Sequence, residues 1–159
     1  MQKRVDKKPG EWQDQSNQAG SALFVAPELV PGTLREGFER IQALAHPLAR
    51  ALMSMFEVTE VHPFLDGNGR TSRLLMNCIR SAVQLSRIMI PTVYREDYLL
   101  PLKALSHHAE PEPLVAALVR AQRWSAAFDY GLPRSQLRQS LERCNAVQED
   151  LRNYKLLFP

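Results

Sequence analysis

The residues best suited to chemistry stand together in His62-Pro63-Phe64-Leu65-Asp66-Gly67-Asn68-Gly69-Arg70-Thr71-Ser72-Arg73. An imidazole titrates near neutrality and can act as a general base. Asp66 is a hard oxygen ligand of the kind Mg²⁺ takes beside phosphates. Gly67-Asn68-Gly69 is a turn signal, since glycine and asparagine accept positive φ. From Arg70 onward the pattern is helical: Leu74, Leu75, Cys78, Ile79, Ala82 and Val83 recur at three- and four-residue steps. A glycine-rich turn therefore opens a helix. The first N–H groups of a helix lack internal partners and carry partial positive charge, so small residues there make a cradle for an anion. Arg70, Arg73 and Asn77 share one helix face, and guanidinium forks suit phosphate oxygens. The pattern points to a Mg²⁺-bound polyphosphate with a base ready to activate a nucleophile. No Walker lysine follows, and Gly67-x-Gly69-x-x-Ser72 lacks the third Gly or Ala of a dinucleotide fingerprint.

At these residues the chain resembles the Fic family, whose signature is His-Pro-Phe-x-Asp/Glu-Gly-Asn-Gly-Arg-x-x-Arg; every defined position is matched. The resemblance implies an all-α fold with a small β-hairpin flap near the N-terminus. It implies transfer of AMP from ATP to a Ser, Thr or Tyr hydroxyl of a target protein, with release of pyrophosphate. By position, His62 would deprotonate that hydroxyl and Phe64 would anchor the loop. Asp66 would hold Mg²⁺, and Gly67, Asn68 and Gly69 would line the anion hole. Arg70 and Arg73 would grip the outer phosphates, and Asn77 would reach toward the nucleoside. Leu23, Phe24 and Val25 fall where the family's flap pairs with the target's main chain, a strand addition that holds a peptide without reading its sequence. Gly67 and Gly69 speak against the Doc-like kinase branch, which carries Ala and Lys there. AMP removal by the same loop, and a regulatory module that keeps the nucleotide site, are the alternatives.

The elements that must position this loop are legible from periodicity and punctuation. Asn17-Gln18-Ala19-Gly20 reads as a turn between strands at Glu11–Gln13 and Leu23–Val25, within a flap region of about 11–27. Thr33 and Glu36 form a capping box for a helix from about Leu34 to Ala45, and Pro47 opens a second to about Phe56. After the motif helix come a helix at Tyr94–Leu105, broken or kinked at Pro101, and another from Pro113 carrying Leu114, Ala117, Leu118, Ala121 and Phe128. A final helix spans about 135–154. The resulting expectation is a single domain over 1–159, with its core at about 33–129. The family core usually carries helices ahead of the flap, so a chain lacking upstream helices is expected. Many members also hold an inhibitory Ser/Thr-x-x-x-Glu-Gly/Asn helix, and no segment here has that pattern. Inhibition is expected from an upstream helix, from a separate antitoxin, or not at all.

Composition is that of an ordinary globular chain: 159 residues, 45% hydrophobic, 23% charged, net charge +3. Its charges are interspersed apart from a short basic cluster at Lys3, Arg4, Lys7 and Lys8, which argues against a nucleic-acid partner. No apolar run reaches membrane-spanning length and no signal peptide is visible. Cys78 and Cys144 lie on apolar stripes and read as reduced core thiols, which favours a cytoplasmic location. His107-His108 has no third ligand at helical spacing. The charged face of the last helix leaves a homodimer open.

Overall fold

Pro47 starts the helix whose far end reaches the motif. The computed structural model describes residues 5–16, 18–19, 22–150 and 152–159. Its contacts divide into two compact units, Met1–Leu85 and Ser86–Pro159.

In the first unit, α1 (Val30–Gln42), α2 (Pro47–Val61) and α3 (Asn68–Ala82) follow one another, with α2 packed on both neighbours. Helix α1 begins at Val30, four residues before the expected start at Leu34. Val30 is wholly buried beside Leu34 and Val61. Pro31 fits the first turn, where no N–H partner is required. Thr33 lies inside the helix, its hydroxyl donating to the Leu29 carbonyl at 3.0 Å. Helix α2 is capped by His46, whose Nδ1 accepts the Leu48 N–H at 3.2 Å, and runs on past Phe56 to Val61. Its buried face is Ala51, Ser54, Met55, Val58 and Val61.

The expected hairpin takes a smaller form. Gln18–Ala19 (β1) and Ala22–Leu23 (β2) pair antiparallel, Gln18 opposite Leu23. No strand forms at 11–13, and of Leu23, Phe24 and Val25 only Leu23 lies in a strand. Gln13 instead donates its N–H to the Pro63 carbonyl at 2.8 Å, so that stretch bonds to the motif loop rather than to a partner strand. Asn17 and Gly20 of the expected turn lie outside the described residues.

Helix α3 turns a different face inward than its apolar spacing suggests. Its buried residues are Asn68, Ser72, Met76 and Arg80, one stripe at four-residue steps, while Leu74 is 66% exposed and Cys78 is also exposed. The cause is at its N-terminus. Asn68 Nδ2 donates to the Phe64 carbonyl at 2.6 Å, and its Oδ1 accepts the Phe64 N–H at 2.9 Å. That reciprocal pair turns position 68 inward, and helical geometry then carries 72, 76 and 80 to the same side.

The second unit pairs α4 (Arg95–His108) with α5 (Glu112–Ala126) and adds α6 (Arg134–Arg143). Helix α4 passes through Pro101 without the expected break, forgoing only the bond its N–H would make one turn back. His107 and His108 sit in its last turn rather than in a loop. Helix α5 buries the foreseen Leu114, Ala117, Leu118 and Ala121 and adds Trp124, while Phe128, expected on the same face, is buried just past the helix end.

The last helix is ten residues long and not the twenty expected. It stops where Asn145 takes φ 61° and the Ala146 N–H returns to the Leu141 carbonyl. The tail folds back instead. Trp124 Nε1 donates to the Leu157 carbonyl at 2.9 Å, the Leu157 N–H donates to the Cys144 carbonyl at 3.1 Å, and the Arg120 guanidinium lies 5.0 Å from the Phe158 ring centre. Among the described residues, no helix is long and apolar enough to cross a membrane.

Candidate functional site

Helix α2 ends at His62 because the residue before a proline is driven out of the right-handed helical region. His62 takes φ 54°, ψ 53°, and its N–H donates to the Val58 carbonyl at 3.2 Å. Its ring Nδ1 stands 3.2 Å from the Thr59 carbonyl oxygen. A carbonyl can only accept, so Nδ1 carries the proton and Nε2 is left as the ring's acceptor. The Phe24 ring lies flat on the imidazole, centroids 3.8 Å apart and planes within 10°. Burial pushes the His62 pKa below the usual imidazole value; the Thr59 carbonyl and Glu60 pull the other way without cancelling it. The group is thus a neutral imidazole near neutral pH, as a base must be.

The loop after it is held from both ends. Pro63 is fully buried. Phe64, half-buried, stacks on Trp12 with ring centres 5.4 Å apart, and Asn68 closes the loop through its two bonds to the Phe64 backbone. Asn68 is only 2% exposed. Its side chain is therefore committed to loop closure, and only its backbone N–H is left for an anion.

Gly67, the N-cap of α3, adopts φ 88°, a conformation that favours glycine. Its carbonyl accepts the N–H groups of Arg70 and Thr71 at 3.0 and 2.9 Å. A β-carbon on Gly67 would meet Arg70 Nη2 at 3.4 Å, and one on Gly69 would meet Arg73 Nη1 at the same distance. The two glycines therefore keep open the ground beside the two guanidinium groups. Asp66 is exposed, with Oδ2 3.4 Å from Arg70 Nη2. Arg70 is exposed; Arg73 and Asn77 are half-buried.

His62, Asp66, Gly67, Asn68, Gly69, Arg70 and Arg73 thus meet around one helix start. The three flap residues diverge. Leu23 is 75% exposed, Phe24 covers His62, and Val25 packs against the Val30, Leu34 and Val61 cluster. Three contributors have no sequence signal of their own. Trp12 stacks on the loop; Gln13, 2% exposed, bonds to Pro63 and, through Nε2, to the Val25 carbonyl at 3.0 Å; Thr59 acts through a backbone oxygen. Among the described residues no group of three or more His, Cys, Asp or Glu could hold a metal. Asp66 can accordingly be only one ligand of a cation.

The Fic/DOC family model matches residues 1–79, which include this whole site. Curated relatives include protein adenylyltransferase Fic of Drosophila erecta, 39% identical, and of Drosophila melanogaster, 33% identical; each match covers 58% of this chain. The chain spans 21% of the length of those relatives. Among solved structures, a Fic domain containing signaling protein from Bacteroides thetaiotaomicron is similar with a TM-score of 0.58 at 22% identity, over 73% of this chain and 53% of that one. Fic-1 from C. elegans is similar with a TM-score of 0.60 at 21% identity, over 86% of this chain and 38% of that one. These two likenesses concern the fold alone. With an unbroken signature, a loop closed onto a helix start and a family match over the same residues, this chain belongs, through residues 1–79, to the Fic/DOC family.

Proposed function

We propose that this chain transfers the AMP of ATP to a side-chain hydroxyl of a protein. The observation that carries the reading is the His62 imidazole, held with Nδ1 on the Thr59 carbonyl, at the start of the loop that leads into an α3 N-terminus carrying glycine and arginine. Nε2 takes the proton of the target's Ser, Thr or Tyr hydroxyl. That oxygen forms a bond to the α-phosphorus as the bond to the β-phosphate bridging oxygen breaks. The electron pair leaves with pyrophosphate, and the proton stays on an imidazolium whose Nδ1–H still faces Thr59.

Charge collects on the β- and γ-phosphates as they depart, and Arg70, Arg73 and the first N–H groups of α3 answer it. Asp66, an exposed, hard oxygen donor, would hold Mg²⁺ beside the phosphates. Such an ion supplies neutralisation of the leaving polyphosphate. Asn77 follows on the same helix toward the nucleoside. Leu23, exposed on the second strand of the short hairpin, is the flap side chain left to meet a target, alongside the hairpin's main chain.

Incubation with α-labelled ATP, Mg²⁺ and a cell lysate tests the reading. Labelled protein bands that vanish in His62→Ala support it. Saturable ATP binding with no labelled band refutes it and leaves a nucleotide-binding module.

A further inference from the structure

His62 has one ring edge tied down and one flat face covered. The tie is the Thr59 carbonyl at Nδ1; the cover is Phe24, parallel to within 10°. A hydrogen bond alone leaves an imidazole free to roll about the donor–acceptor line. A ring laid flat on it removes that freedom, because any roll drives the imidazole into the phenyl plane. Phe24 is itself held from the next residue. The Val25 carbonyl accepts from Gln13 Nε2 at 3.0 Å, and the Val25 side chain packs on the buried cluster of α1 and α2. Gln13 then bonds to Pro63, the residue after His62. A closed circuit therefore runs Gln13, Val25, Phe24, His62, Pro63 and back to Gln13.

We infer that Phe24 is a positioning residue that aims the His62 imidazole, and that its side chain does not serve as a target-docking residue. The inference rests on the proposed role of His62 as base. Proton abstraction needs Nε2 in line with the incoming hydroxyl, and small misplacements of a catalytic group cost large factors in rate. Covering one face also leaves the hydroxyl an edge-on approach to Nε2. Glu60 is the charged group acting on His62 from α2; its charge is untouched by changes at Phe24.

The test compares Phe24→Leu, which keeps apolar bulk but has no flat ring, with Phe24→Tyr, which restores one. Ring ¹H and ¹⁵N resonances of His62 are read by NMR in the unmodified chain, alongside kcat and KM for ATP. In the native chain the His62 ring protons should be shifted upfield by the phenyl ring current, with nitrogen shifts of the Nδ1–H tautomer. Phe24→Leu should lose the upfield shift and lower kcat about ten- to a hundredfold at unchanged KM for ATP; Phe24→Tyr should recover both. Retained His62 shifts in Phe24→Leu, or a lost shift with native kcat, overturns the inference. A native chain without transferase activity sinks the adenylyl-transfer reading instead; the ring-nitrogen shifts, with the Nδ1–H tautomer pattern lost in Phe24→Leu and restored in Phe24→Tyr, still decide whether Phe24 holds the imidazole on the Thr59 carbonyl.

Discussion

Helices α3 and α5 have the same length, fifteen residues, yet they bury opposite kinds of face. Helix α5 turns inward Leu114, Ala117, Leu118, Ala121 and Trp124, the stripe its apolar spacing announces. Helix α3 turns inward Asn68, Ser72, Met76 and Arg80, and leaves Leu74 and Cys78 outside. The difference lies in what sets each helix's rotation. Nothing at the start of α5 competes with burial of its apolar stripe, so hydrophobic transfer decides. At the start of α3 a buried amide must reach the Phe64 backbone in two directions at once. One helix is rotated by packing and the other by its terminus.

If that contrast is right, changes at the two helices should separate activity from stability. The largest effect is expected just ahead of α3: His62→Ala should reduce transfer about 10²–10⁴-fold, the usual contribution of a general base. ATP affinity by calorimetry and the melting midpoint should stay near native. In α5, Leu118→Ala removes a side chain only 2% exposed and should cost about 2–5 kcal/mol of stability. Denaturant titration would read that loss, and transfer per folded molecule should be unchanged.

Asn68→Ala should do both things at once. It strips the Phe64 N–H and carbonyl of their side-chain partner, at about 1–3 kcal/mol, and frees the rotation of α3, so the transfer rate should fall with stability. Loss of stability with native transfer would show that the amide does not set the helix. At the small end, Leu74→Ser on the outward stripe of α3 should change stability by no more than about 0.5 kcal/mol. A larger loss would mean that this face is covered.

Proton linkage sharpens the same contrast. Burial depresses the His62 pKa below 6.5, so the unfolded chain binds more protons between the folded and unfolded values. The contribution of this group to stability is complete above about 6.5 and declines as pH falls through that window. Transfer should keep its plateau down through the ordinary imidazole pKa and fall only at lower pH. A His62→Gln variant should lose this share of the acid dependence of stability, measured by melting at a series of pH values.

Much of this molecule follows from residues alone. The turn at Gly67–Gly69, the proline start of α2, the apolar face of α5 and the signature from His62 to Arg73 are consequences of local geometry and spacing, readable wherever they occur. The all-helical fold follows from them. What only the tertiary structure decided was phase and contact. The rotation of α3 and the short hairpin turn on specific hydrogen bonds between near neighbours, whereas the early start of α1 at Val30 and the return of Leu157 onto Trp124 and Cys144 turn on partners distant in sequence. So do the stack of Phe24 on His62 and the hold of Gln13 on Pro63. Periodicity reports which residues would gain by burial. It does not report where one buried amide or one aromatic ring finds its complement, and at such points a specific pair of hydrogen bonds outweighs the averaged preference of a stripe.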